Sequence, residues 1–152
     1  MITFKWATRA LAGAGAALCL IGAAPALTTH DVPHSAAHEV AVTVVGARGL
    51  TNKDGLLGKS DPYAVVRMGN QRYQTASKTD AGASVEWNQT FTLLAEPGQE
   101  LQVDVYDDDL LRDDVIGRVR IPEPPLGSVE GWYSITLGAK SAGEVHLIIK
   151  RI

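Results

Sequence analysis

The sequence predicts an all-β protein, an eight-stranded antiparallel β-sandwich, on three observations. Eight short runs are rich in Val, Ile, Thr and aromatic residues. Turn residues separate the runs at close spacing, and Gly is frequent at 15 of 152 positions. No stretch after residue 40 carries the apolar periodicity of an amphipathic helix.

The first 26 residues stand apart from that pattern. Lys5 and Arg9 open the chain, Ala10 to Ala24 is apolar and small, and Ala24-Pro25-Ala26 offers a cleavage site. This is the form of a secretory signal cut after Ala26, and the apolar run is short for a membrane span. An uncleaved anchor is the alternative. Cys19 is the only cysteine, and Ala17-Leu18 before it does not suit a lipoprotein site. A mature chain from Leu27 would hold no disulfide and no thiol. Residues 27–38 then read as a polar linker. Its His30, His34 and His38 have helical spacing, but Pro33 opposes a continuous helix, so they are incidental.

From residue 39 to residue 152 the chain reads as one domain. Val40–Val45 alternates and is β-branched, hence a strand. Gly46–Lys59 is a long Gly-rich connection. Ala64–Met68 and Gln71–Thr75 form a hairpin across Gly69-Asn70. Val85–Leu94 is a strand around Trp87 and Phe91, and Pro97-Gly98 marks the next turn. Glu100–Tyr106 and Val115–Ile121 follow, and Pro122–Gly131 is a Pro-rich loop. Trp132–Leu137 and Glu144–Ile149 are the last strands. Trp87, Phe91 and Trp132 are read as core residues, and His146 as a solvated one. Asn88-Gln89-Thr90 is a glycosylation sequon placed in a strand, a poor setting for modification.

The densest charge lies between two of these strands. Asp107, Asp108, Asp109, Asp113 and Asp114 crowd into eight residues, with only Arg112 among them. Such repulsion is destabilising unless a cation offsets it, and calcium is the common hard cation for carboxylates. Asn52–Asp61 is a second acidic loop, with Asp54 and Asp61 around Gly55 and Gly58. Neither loop has the Gly and Glu positions of an EF-hand.

These stretches resemble the C2 domain family, calcium- and phospholipid-binding β-sandwiches. The resemblance rests on VTVVGARGL (Val42–Leu50), GKSDPY (Gly58–Tyr63), VEWNQTF (Val85–Phe91), VYDDD with DDVIG, and Trp132-Tyr133 followed by Gly143-Glu144-Val145. It covers residues 39–150. It implies the type II permuted topology, because only one strand precedes the first acidic loop and Glu144–Ile149 supplies the remaining one. It also implies two or three calcium ions between the loops. By motif the ligands are Asp54, Asp61, Asp107, Asp109 and Asp114. Asp54 comes with an interval to Asp61 one residue longer than usual, and Asp113 is a substitute for Asp114.

The same loops carry apolar pairs, Leu56-Leu57 and Leu110-Leu111. Either they pack beneath the loops or they enter a membrane, where each buried Leu is worth about 1.5–3 kcal/mol. Basic residues able to meet lipid headgroups are few: Arg67, Arg72 and Lys78. Hydrophobic insertion is therefore expected over polybasic docking.

Other functions are disfavoured. The net charge of −3 falls to −5 without Lys5 and Arg9, and no basic stripe suits nucleic acid. No G-x-S-x-G, no phosphate-binding Gly loop and no mature Cys nucleophile is present, so an enzyme is not expected. The expected protein is a secreted or periplasmic monomer that binds phospholipid surfaces with Ca2+. The alternative is a calcium-independent module that binds a protein partner, held to a membrane by an uncleaved N-terminal segment. Outside a cell, abundant calcium would keep the sites loaded, making the domain a standing adhesive and not a switch.

Overall fold

A computed structural model describes residues 36–52 and 58–152. The proposed signal, Cys19, His30, His34, Asp54, Leu56 and Leu57 lie outside the described residues.

Eight strands form in chain order: β1 (His38–Arg48), β2 (Pro62–Met68), β3 (Gln71–Gln74), β4 (Val85–Ala95), β5 (Leu101–Asp107), β6 (Asp114–Ile121), β7 (Ser128–Leu137) and β8 (Lys140–Arg151). All pairings are antiparallel, in the order β3-β2-β5-β6-β7-β8-β1-β4. Between β6 and β7 only Arg118 and Thr136 are in register. That weak seam divides the array into two four-stranded layers, which face each other as a sandwich. The C-terminal β8 lies between β1 and β7, as the permuted topology requires.

Alternation explains the layers. Val40, Val42 and Val44 of β1, Ala64, Val66 and Met68 of β2, Leu101, Val103 and Val105 of β5, and Val145, Leu147 and Ile149 of β8 all point inward and are buried. Trp87 joins them, and Phe91 packs against their edge. At one side Tyr73 and Phe91 stack at 5.5 Å. There Gln71 donates to the Leu94 carbonyl at 2.7 Å and accepts from its N–H at 2.8 Å. The side chain thereby occupies backbone groups that an edge strand would otherwise expose.

Several expectations change. β1 begins at His38, the last residue assigned to the linker, and runs on to Arg48. β7 begins at Ser128, inside the stretch read as a Pro-rich loop. Trp132 is not a core residue: it is 42% exposed, while Ile135 of the same strand is buried and Tyr133 packs against the core. Its neighbours at alternate positions, Ser134 and Thr136, are polar, so the period-two pattern already put Trp132 on the outer face. His146 is not fully solvated: its ring stacks on Trp132 at 4.8 Å and bonds Glu130 at 3.0 Å.

Candidate functional site

The ends of β2, β5 and β6 meet at one pole of the sandwich. Asp107 closes β5, with Pro62 opposite it on one side and Asp114 on the other. This register alone brings the Asp61-Pro62 corner and the 108–113 loop together. The Asp61 N–H donates to Oδ1 of Asp107 at 2.7 Å, and the Asp108 N–H donates back to the Asp61 carbonyl at 3.1 Å. Asp107 is fully buried, and among the described residues its Oδ2 has no hydrogen-bond partner.

The β3–β4 loop braces this corner. The Asp80 N–H donates to Oδ1 of Asp61 at 2.6 Å, and Asp80 holds a left-handed φ of 54° to do so. The Ser77 hydroxyl donates to Oδ2 of Asp108 at 2.6 Å. Trp87 Nε1 donates to the Pro62 carbonyl at 3.3 Å, and the Lys78 N–H donates to the same oxygen at 3.1 Å. Three loops are thus tied at one pole by bonds spanning far-apart positions.

The remaining aspartates differ in setting. The Tyr63 hydroxyl donates to Oδ2 of Asp113 at 2.6 Å, and the Tyr63 ring stacks on Tyr106 at 5.3 Å. Burial first, and then the Asp113 hydrogen bond and charge, push the Tyr63 phenol well above the usual range, so it stays a proton donor. Asp109 is half-buried, while Asp113 and Asp114 are exposed. Among the described residues, no three His, Cys, Asp or Glu side chains gather closely enough to make a metal shell by themselves. The first expected ligand, Asp54, lies outside the described residues.

Donor chemistry nonetheless suits a hard cation. Carboxylates from two loops lie side by side, and Oδ2 of buried Asp107 has no donor among the described residues. An unpaired buried carboxylate oxygen is costly, and a cation is one way to relieve it.

At the tip of the β5–β6 loop, Leu110 and Leu111 are completely exposed, at 105% and 100%. They line a surface depression with Asp109, Arg112 and Asp114, so these two leucines do not pack beneath the loop.

The basic residues have other engagements. Arg67 Nη1 bonds Oδ2 of Asp104 at 2.8 Å, and Nη2 reaches the Tyr106 hydroxyl at 3.4 Å. Asp104 is fully buried; it also accepts from Gln102 at 2.9 Å and lies 3.5 Å from Nε of Arg118. At that distance the Arg118 contact is an ion pair and not a hydrogen bond. Arg72 donates to Gln74 at 3.2 Å, and the Lys78 side chain is exposed.

Sequence reasoning missed Ser77, Asp80 and Tyr63. The adjacency of Tyr63 to the Asp61-Pro62 pair was a usable signal. Nothing in spacing pointed to Ser77 or Asp80, whose partners lie in other loops.

Comparison with known proteins agrees with this geometry. The C2 domain profile matches residues 38–135. Extended synaptotagmin-1 of Pongo abelii is 36% identical over 118 residues, 71% of this chain and 10% of the relative. Extended synaptotagmin-3 of Homo sapiens is 35% identical over 119 residues, 71% of this chain and 13% of the relative. The chain therefore spans only about a tenth of such relatives' length. Among solved structures, a calcium-bound tandem of C2 domains from extended synaptotagmin 2 aligns with a TM-score of 0.65 at 29% identity, covering 75% of this chain and 45% of that one. A single C2 domain of plant extended synaptotagmin 1 aligns at 0.66 and 23% identity, covering 76% of this chain and 95% of that one, a likeness of fold. Profile, relatives and the buried aspartate corner agree: this chain belongs to the C2 domain family.

Proposed function

We propose that the domain binds phospholipid membranes in a calcium-dependent manner through the pole formed by its acidic loops. The observation that carries this reading is Asp107, a fully buried carboxylate with one oxygen lacking a hydrogen-bond donor among the described residues. Asp61, Asp107, Asp109 and Asp114 would hold Ca2+ together with Asp54, and Asp113, engaged by Tyr63, is the reserve ligand. The ion would supply positive charge that offsets the carboxylates and attracts lipid phosphate. The calcium-bound state of one similar structure supports the ion, and that structure is 29% identical to this chain.

The chain's own part is orientation and insertion. Ser77, Asp80 and Tyr63 hold the aspartate-bearing loops in place through hydrogen bonds of 2.6 Å. Exposed Leu110 and Leu111 would enter the apolar layer once the neighbouring charge is offset. Of Arg67, Arg72 and Lys78, the latter two would add weak headgroup attraction, since Arg67 is committed to Asp104. A binding role without catalysis is part of the same proposal, as are a secreted or periplasmic location and a monomeric state. The N-terminal residue of the native protein tests the location; a native start at Met1 overturns it.

Vesicle sedimentation tests the central reading. Phosphatidylserine-containing liposomes should pull down the protein in millimolar calcium and release it with chelator. Equal sedimentation in both conditions would instead favour the calcium-independent alternative.

A further inference from the structure

The outer face of the β4-β1-β8-β7 layer carries a cleft that the calcium pole does not use. It has a volume of about 420 Å³ and is lined by Val45, Gly46, Arg48, Glu86, Trp132 and His146, among others. A bulge in β1 makes room for it. The register of β1 shifts between Val44 and Gly46 against both neighbouring strands: opposite β8 the extra residue is Val45, and opposite β4 it lies on β4, where Asn88 holds a left-handed φ of 52°. Gly46 forms the floor, so close to β4 that a Cβ there would lie 2.3 Å from the Val85 carbonyl oxygen.

The wall is aromatic. Trp132 stacks on His146, and the Arg48 guanidinium sits 3.9 Å from the Trp132 ring centre. Arg48 is oriented from behind by Glu144, at 2.8 Å from Nε. A guanidinium thus already rests on this indole, which shows that the ring is placed for cation–π contact. Trp132 remains 42% exposed.

The charge around the cleft is negative. Glu86, Glu130 and Glu144 project from the same face, against Arg48 and, four residues along β8 from His146, Lys150, when His146 is neutral. Glu144 is taken by Arg48 and Glu130 bonds His146. Glu86 lines the cleft and is exposed, and its side chain makes no hydrogen bond or ion pair among the described residues. The opposite layer has the reverse character, with Arg67, Arg72, Arg118 and Arg120 against Asp104 and Glu100.

We propose that this cleft docks a basic peptide segment of a protein partner, one Arg or Lys side chain lying between Trp132 and the unpaired Glu86. Three features select that occupant. The carboxylates disfavour an acidic ligand. The aromatic wall favours a cation or its aliphatic stem over a neutral polar group. An exposed Trp beside a pocket is also a residue type that anchors protein interfaces.

Fluorescein-labelled hexaarginine and hexalysine, titrated by fluorescence anisotropy at low ionic strength in chelator, test the proposal. Binding to the parent protein should weaken about fivefold in Glu86→Gln, the scale of one exposed ion pair. It should weaken about tenfold in Trp132→Ala. Glu123→Gln, an equal charge change on a distant loop, and the double variant Asp107→Asn/Asp109→Asn should bind as the parent does. Amide chemical shifts should move at Val45, Glu86 and His146. Equal losses in Glu86→Gln and Glu123→Gln would mean non-specific attraction and overturn the proposal. Loss only in the aspartate variant would move the peptide to the calcium pole and also overturn it, as would failure of both peptides to bind. Glu86→Gln is exposed and cannot report unfolding, so a folding defect in Trp132→Ala leaves the test intact.

Discussion

The backbone N–H of Asp61 donates to Oδ1 of Asp107 at 2.7 Å, across 46 positions of sequence. This bond joins the two acidic loops, and among the described residues the other Asp107 oxygen has no donor. A C2 pole is thereby organised around one buried carboxylate whose needs are half met.

Asp107→Asn is the first prediction. In calcium at ten times the dissociation constant, the parent should gain about 1.4 kcal/mol. That corresponds to a rise of about 3–5 °C in melting temperature for a domain of this size. The variant should lose the rise. Without calcium it should melt no lower than the parent, because removing one of several crowded charges relieves about 1 kcal/mol of repulsion. Thermal unfolding with calcium and with chelator reads both effects. A calcium shift that survives in Asp107→Asn places the ion elsewhere.

Leu110→Asp/Leu111→Asp should leave stability within about 0.5 kcal/mol of the parent, since both side chains are fully exposed. Calcium-dependent liposome binding should nevertheless fall sharply, each inserted Leu being worth about 1.5–3 kcal/mol. Sedimentation and melting, measured on the same sample, separate the two effects. Undiminished liposome binding excludes insertion by this tip.

The raised Tyr63 pKa makes a prediction in alkali. An unfolded tyrosine releases its proton near pH 10, while folded Tyr63 keeps its own to higher pH. Between those two values the folded state binds more protons than the unfolded one. Stability is therefore complete below about pH 10 and declines as pH rises above it. Tyr63→Phe should flatten that decline, and it should also release Asp113 from its 2.6 Å bond. Denaturant midpoints across pH 8–12 measure the slope; identical slopes in parent and variant count against it.

Arg67 and Arg72 face each other across the β2–β3 hairpin yet should behave differently. Arg67→Ala removes a 2.8 Å partner from a fully buried carboxylate and should cost about 1–3 kcal/mol. Arg72→Ala removes only an exposed bond to Gln74 and should cost less than about 0.5 kcal/mol. Urea unfolding compares the pair directly.

Gly46→Ala should destabilise by about 1–3 kcal/mol, because the added Cβ overlaps the Val85 carbonyl and the bulge must move. The same variant should disturb the cleft beside Trp132, visible in its fluorescence. An unchanged melting temperature would show that β1 and β4 separate freely there.

Much of this architecture was legible from residue types. Alternating Val40, Val42 and Val44 and the Gly69-Asn70 turn announced a strand and a hairpin, and both formed. The SDPY corner and the paired aspartates of VYDDD pointed to the pole where Asp61 and Asp107 now touch. The outward face of Trp132 was readable too, but ring size outweighed the alternation. The start of β7 at Ser128 was obscured by the prolines and glycines before it.

The sequence by itself determined the all-β class, most strand positions and the acidic character of two loops, because strand periodicity and turn chemistry act over a few neighbouring residues. Only the tertiary structure decided which carboxylate is buried, that Ser77, Asp80 and Tyr63 brace the loops, and that Arg48, Glu86, Trp132 and His146 share one cleft. Those relationships join residues far apart in the chain, through strand order and register, and local pattern carries no record of either.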